Sequence, residues 1–279
     1  RVDPVWPVTI LAVRDEVELR VLLPEFWEKT GALHLGGVFA DPPDRGWVAL
    51  RTNVARFREG DADRDNPYLL VFHEYVHIVL RLNFESLPVW LDEGLAEYWG
   101  NTIIEGDRVL EGRPVPYHLK TLRQRTLIPL AALFAVERGS PEYSEQDRAT
   151  IFYAQSWALV HSLVLGSDER RGQLDRFVAL LQAGQHAADA AREAFGDIGG
   201  LERELQSYVR RPAFRHRRRT ARLEVREDAP AHVVDVNHAA LDVGDELITY
   251  GDYYFFIASA IALFAAFVAA EALCTDRRT

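Results

Sequence analysis

A pair of helices is predicted by residues 66–99, which read NPYLLVFHEYVHIVLRLNFESLPVWLDEGLAEYW. Asn66 is a good N-cap and Pro67 a good first helical residue, so the first helix should cover about 66–82. The second should follow a proline-containing loop and cover about 89–99, ahead of a Gly-Asn stop. Both helices are largely apolar, so the charged side chains that they carry need a chemical explanation.

The first helix contains His73-Glu74-Tyr75-Val76-His77. Two histidines at positions i and i+4 project from one helix face, one turn apart, so both imidazoles can reach one metal ion. Glu74 lies beside them, where it can take a proton from a water molecule. The spacing therefore predicts a metal site with a general base next to it.

A third ligand has to complete such a site, and several sources are excluded. The metzincin pattern needs Gly at position 80 and His at 83, where the chain has Leu80 and Asn83. A deformylase-like site needs a Cys ligand, but the single cysteine, Cys274, lies in the hydrophobic tail. An intramembrane protease needs the motif inside a spanning helix, and the apolar run 68–80 is too short for one. A carboxylate from the second helix remains.

That helix supplies two acids, Glu93 and Glu97, at i and i+4 on one face. The HExxH motif, the short loop and the run Trp-Leu-x-Glu-Gly-Leu-Ala-Glu-Tyr resemble the gluzincin zinc peptidases of the peptidase MA-like family. The resemblance covers about residues 5–210 and is specific between His73 and Tyr98. It implies a zincin-like catalytic domain with one Zn²⁺ per chain.

The resemblance also implies roles for individual side chains. His73, His77 and Glu93 would bind the zinc, and Glu97 would accept a hydrogen bond that orients a ligand imidazole. Asp92 stands where better-known members have Asn, which alters one hydrogen bond beside the ligands. Glu74 would act as general base and then as proton donor to the leaving amine.

The resemblance extends to two further segments. Residues 151–161 look like the downstream helix of the family, where Tyr153 is our candidate donor to the oxyanion, with a tethered core tyrosine as the alternative. His161, on roughly the same face, is interpreted as a core histidine. Residues 47–52 would form an edge strand along which an extended peptide substrate lies.

The function implied is zinc-dependent hydrolysis of peptide bonds in a peptide or protein substrate. We favour endopeptidase action, because the chain has no methionine and so lacks the usual aminopeptidase motif that binds a substrate amine. The alternative is a non-catalytic metal-binding or membrane-tethered scaffold protein of the same fold.

Composition narrows the range of partners. Apolar residues make up 48% and charged residues 27% of the 279 positions, as in ordinary globular proteins. The net charge of -10 argues against nucleic-acid binding, which depends on a surplus of Lys and Arg. A single cysteine excludes an intramolecular disulfide and a thiolate zinc cage.

The predicted fold class is α+β, with a small N-terminal sheet, the active-site helix pair and a helical C-terminal half. Strands are predicted at 8–13 and 46–52. Apolar residues at three-to-four spacing predict further helices at 16–28 (broken at Pro24), 128–137, 148–165, 170–183, 186–195 and 201–209. Three parts follow: a metallopeptidase domain over 1–210, an Arg-rich linker and helical segment over 211–252, and a hydrophobic helix over 253–270.

The hydrophobic helix has two interpretations that stay open. Residues 253–270 carry no charge and just reach the length of a membrane span. With Arg277 and Arg278 behind it, such a span would put the C-terminus in the cytoplasm and the catalytic part outside. A tetratricopeptide-like helix is the other interpretation. An extracytoplasmic or membrane-anchored location is therefore expected, with a cytoplasmic one as the alternative.

Overall fold

The computed structural model describes residues 8–13, 15–22, 37–40, 46–51, 69–105, 107–144 and 146–220. Within these residues the chain divides into two compact units. The first comprises the described residues up to 79, together with 103–109 and 219–220, and the second comprises 80–102 and 110–218. The predicted hydrophobic helix at 253–270, most of the predicted linker, and the capping residues Asn66 and Pro67 lie outside the described residues.

The first unit begins with β1 (Val8–Val13), α1 (Glu16–Leu22), β2 (Gly37–Ala40) and β3 (Gly46–Arg51). The sheet order is β1-β3-β2, with β1 parallel to β3 and β2 antiparallel to it. The strand predictions at 8–13 and 46–52 are confirmed to within one residue. The prediction that 47–52 forms an edge strand is wrong, because β2 pairs with the side of β3 that β1 leaves open.

Local chemistry explains how α1 starts. The carboxylate of Asp15 accepts hydrogen bonds from the backbone N–H groups of Val17 at 2.9 Å and Glu18 at 3.1 Å. It therefore satisfies two donors that the first helical turn leaves open. Leu19 on this helix packs with Val13 and Ala49 in a small core beneath the sheet.

The motif-bearing helix, α2, is described over Leu69–Asn83, which confirms the end of the predicted 66–82 to within one residue, while residues 66–68 lie outside the described part. In the second unit α3 (Val89–Gly100) follows Pro88 and confirms the prediction of 89–99. Most of α3 is buried, which requires close packing on every side. Gly94 permits this: a Cβ at this position would lie 2.6 Å from the carbonyl oxygen of Ser156 on the neighbouring helix.

That neighbour is α7 (Gln146–Leu165), the longest helix of the second unit's described part. The remaining helices there are α4 (Pro116–Gln124), α5 (Leu130–Phe134), α6 (Pro141–Ser144), α8 (Asp168–Gln182), α9 (Ala187–Phe195) and α10 (Ile198–Tyr208). Four of the predicted helices are confirmed with small shifts at their ends. The helix predicted at 128–137 is much shorter, because the backbone of Ile128 bonds to the side chain of Gln155 rather than entering a helix.

A second sheet has the order β4-β5-β6, formed by β4 (Ile103–Glu105), β5 (Arg108–Glu111) and β6 (Arg217–Thr220). None of these strands was predicted, and β6 lies within the predicted Arg-rich linker. The guanidinium of Arg217 lies 3.1 Å from the carboxylate of the fully buried Glu111. Arg217 thus neutralises a buried acid, which a solvated linker residue would not do.

The main core fills the second unit, where α3, α7 and the helices around them meet. Its largest fully buried side chains are Trp90, Trp157, Tyr98, Phe152 and Phe177. The rings of Trp90 and Phe177 stack with centroids 5.7 Å apart. Among the helices in the described part of the chain, none combines the length and the apolar character that crossing a bilayer would need.

Candidate metal centre

The HExxH motif brings its two imidazoles together on α2. The Nε2 atoms of His73 and His77 lie 3.2 Å apart, and both side chains are buried. Two nitrogens at 2.0–2.1 Å from one tetrahedral zinc ion are about 3.3 Å apart, so this pair already has the spacing of two ligands. The same distance allows a hydrogen bond between the two rings, which is the metal-free alternative.

Glu74 stands between the two histidines in the sequence. It is buried, with only 8% of its surface exposed. A carboxylate so far out of water needs polar or charged partners. On α2 its place beside the imidazole pair fits a general base better than a surface acid.

The acids of α3 are buried as well. Asp92, Glu93 and Glu97 each expose 6% or less of their surface. Such a set is costly unless every carboxylate is paired or binds a metal ion. Each of the three has a partner from a different segment of the second unit.

Glu93 accepts a hydrogen bond on Oε1 from the hydroxyl of Tyr143, at 2.9 Å. Oε2 of Glu97 lies 2.9 Å from Nε2 of His118. Oδ2 of Asp92 accepts from the Arg138 guanidinium at 2.8 Å.

One group of His, Cys, Asp or Glu side chains in the described residues could hold a metal ion, and it consists of His73, His77 and Glu93. One ligand atom from each side chain lies within 4.8 Å of the other two. Two imidazoles and one carboxylate are a donor set that zinc accepts, with a fourth position left for water. These residues therefore fit the ion that the motif implies.

Tyr153 lies next to Tyr143, the hydrogen-bond partner of Glu93, with the two ring centroids 6.0 Å apart. Burial, and after it the Glu93 carboxylate, raises the pKa of Tyr153 well above its usual value. Burial is also the main reason that the pKa of Tyr143 is raised, while Arg138 acts in the opposite direction. Both tyrosines therefore stay protonated and keep a hydrogen to donate.

His161 has a different environment. It is fully buried, with Nε2 2.8 Å from the carbonyl oxygen of Gly112 and Nδ1 2.7 Å from the hydroxyl of Tyr208. Because a carbonyl only accepts, Nε2 carries the hydrogen and Nδ1 accepts from the tyrosine. Both ring nitrogens are used in the core, in agreement with the interpretation as a core histidine.

Sequence reasoning missed three residues that contact the acids of α3. Tyr143, Arg138 and His118 lie on or near short helices far along the chain from 92–97. Nothing in their local patterns distinguishes them from surface residues, because their partners are set by packing. The only signal was the presence of three acids on a buried helix, which requires donors from elsewhere.

No protein-family model matches the chain, and neither a curated protein nor a solved structure matches it. The roles of these side chains therefore rest on their own chemistry and geometry.

Proposed function

We propose that this chain is a zinc-dependent peptidase of the gluzincin type, with a zincin-like α+β catalytic domain, and that it acts as an endopeptidase on peptide or protein substrates. The observation that carries the proposal is the 3.2 Å separation of the His73 and His77 Nε2 atoms, with Glu74 on the same buried helix. Burying two imidazoles and a carboxylate in one turn is costly for a helix that has only a structural role.

The ligand set proposed is His73, His77 and Glu93, with one Zn²⁺ per chain. Zinc, when bound, polarises a substrate carbonyl and lowers the pKa of a water molecule at its open position. The partners of the acids support this arrangement. Tyr143 holds one oxygen of Glu93, and His118 holds Glu97, so both carboxylates are fixed in place.

The side chains divide the chemistry among them. Glu74 takes a proton from the attacking water and passes it to the leaving amine as the peptide bond breaks. The hydroxyl of Tyr153 donates a hydrogen bond to the oxyanion. Asp92, next to Glu93 in the sequence, is a buried carboxylate, and the Arg138 guanidinium supplies its countercharge.

Substitution of Glu74 by Gln tests the catalytic part of the proposal. Full-length protein loaded with zinc is incubated with a diverse peptide library, and products are identified by mass spectrometry. We expect internal cleavage by the wild type, a loss of rate of about 10²–10⁴-fold in Glu74→Gln, and one zinc retained in both. Glu169→Gln, an exposed acid on α8, is the matched control and should cleave normally.

Two results would count against catalysis. Equal cleavage by wild type and Glu74→Gln would assign the activity to a contaminant or to another group. A wild type that holds one zinc and cleaves nothing would favour the alternative, a non-catalytic metal-binding scaffold. The membrane-anchored or extracytoplasmic location stays a prediction, since residues 253–270 lie outside the described part.

A further inference from the structure

We infer that Tyr143 is a positioning residue for Glu93. Its hydroxyl is hydrogen-bonded to one oxygen of this proposed ligand. This inference rests on the zinc site proposed above and adds to it the group that sets the geometry of its carboxylate.

The direction of this hydrogen bond follows from donor chemistry. The Glu93 carboxylate can only accept, so the Tyr143 hydroxyl donates its hydrogen to Oε1 across 2.9 Å. Because a tyrosine has one hydroxyl hydrogen, this bond commits it to Glu93.

Ring packing fixes the position of the Tyr143 hydroxyl. The Tyr143 ring lies edge-on to that of Phe152, with centroids 6.0 Å apart, and is tilted against that of Tyr153 at the same distance. Both partners are on α7, which also packs along α3, the helix that carries Glu93. The donor and the carboxylate are thus held by the same rigid helix, although Tyr143 itself is on the four-residue helix α6.

A fixed carboxylate should bind metal more tightly than a free one. Glu93 has three side-chain torsions, and binding an ion with a mobile side chain costs the entropy of ordering them. Tyr143 restricts these torsions before the ion arrives. Partners that orient a metal ligand typically contribute 10–100-fold in affinity.

Zinc affinity tests the inference. The dissociation constant of Zn²⁺ is measured by competition with a chromophoric chelator, using the wild-type protein and Tyr143→Phe. We expect Tyr143→Phe to weaken zinc binding about 10–100-fold, because the Glu93 carboxylate loses the partner that orients it.

Tyr208→Phe is the matched control, because it removes a tyrosine hydroxyl that hydrogen-bonds the core residue His161. Its zinc affinity should stay within about twofold of wild type, and unfolding curves of the metal-free variants should show that all remain folded. A positioning role also predicts that Tyr143→Phe recovers most of its kcat when zinc is saturating, whereas a direct donor to substrate would not.

The inference is overturned if folded Tyr143→Phe binds zinc as wild type does, or if its kcat stays low at saturating zinc. Failure of the zinc site itself has a different signature. In that case the wild type binds no zinc, or Glu93→Ala binds it as tightly as wild type.

Discussion

Nε2 of His118 lies 2.9 Å from Oε2 of Glu97, and both side chains are almost completely buried. The carboxylate accepts only, so this imidazole nitrogen carries the hydrogen. The bond links α4 to the helix that carries the proposed ligand Glu93. It also means that the acid expected to orient a ligand imidazole is itself oriented by a histidine from another segment.

Replacing His118 with Phe should destabilise the protein. It removes a donor from a buried carboxylate, which typically costs about 1–3 kcal/mol of the free energy of unfolding. Urea unfolding at pH 7 measures the loss. Glu97→Gln and the double variant complete a cycle, and we expect a coupling energy of at least about 0.5 kcal/mol. Strictly additive effects would show that the 2.9 Å contact contributes nothing.

Arg138→Gln should destabilise more than Arg176→Gln. Both arginines are about half exposed and lie 2.8 Å from an acid, but the side chain of Asp92 is 8% exposed and that of Glu193 is 44% exposed. A surface pair contributes little, whereas a buried acid loses a needed partner. We expect about 1 kcal/mol for Arg138→Gln in urea unfolding, discounted for the exposed guanidinium, and no measurable change for Arg176→Gln. Equal losses of stability in the two variants would contradict the claim that the buried Asp92 needs Arg138 as a partner.

Glycine-to-alanine substitutions at two helical positions should have opposite effects. A Cβ at Gly94 would lie 2.6 Å from a backbone oxygen of α7 and 2.7 Å from Val160, so Gly94→Ala should cost about 1–3 kcal/mol. Nothing lies within 4 Å of a Cβ at Gly172 on α8. Gly172→Ala should therefore stabilise by about 0.5–1 kcal/mol through helix propensity. Thermal unfolding measures both, and a neutral Gly94→Ala would show that α3 and α7 are less closely packed.

His161 should make stability depend on pH between about 4 and 6.5. Burial lowers its pKa from the usual 6.5 to about 4, so the unfolded chain binds a proton in this range and the folded chain does not. Stability is then fully present above pH 6.5 and falls as the pH drops towards 4.

Between pH 7 and pH 5 this histidine should account for a loss of about 2 kcal/mol in the free energy of unfolding. The measurement is urea unfolding at both pH values for wild type and His161→Gln, whose side chain can still donate and accept but does not titrate. On acidification from pH 7 to pH 5, the variant should lose about 2 kcal/mol less of its free energy of unfolding than the wild type. An identical pH dependence would show that His161 already titrates normally in the folded state.

The helix pair was predictable because its signals are local. A histidine spacing of four, a proline before Val89 and a glycine at its end all act within one or two turns. The strands β4, β5 and β6 could not be predicted in this way. β4 and β5 are only three and four residues long, and β5 also pairs with β6, about a hundred residues further along the chain. The side-chain contact of Arg217 with Glu111 spans the same separation.

The candidate site shows the same difference between local signals and long-range packing. His73, His77, Glu93 and Glu97 could be predicted because helix geometry brings each pair onto one face. Tyr143 and His118 could not, since their approach to the acids depends on how separate helices pack. The shortened α5 shows the same effect: the buried amide of Gln155 binds both backbone groups of Ile128, at 2.7 and 2.6 Å, and overrides a helical pattern.

The central claim is that His73, His77 and Glu93 hold one zinc ion, and the direct test is metal content. Elemental analysis of full-length protein purified without added metal is compared between wild type, His73→Ala and Glu93→Ala, with folding checked by circular dichroism. The account predicts about one zinc per wild-type chain and loss of zinc in both variants. A folded wild type without zinc that takes up none when zinc is added would contradict it, and the 3.2 Å contact of His73 with His77 would then be a hydrogen bond in a metal-free core.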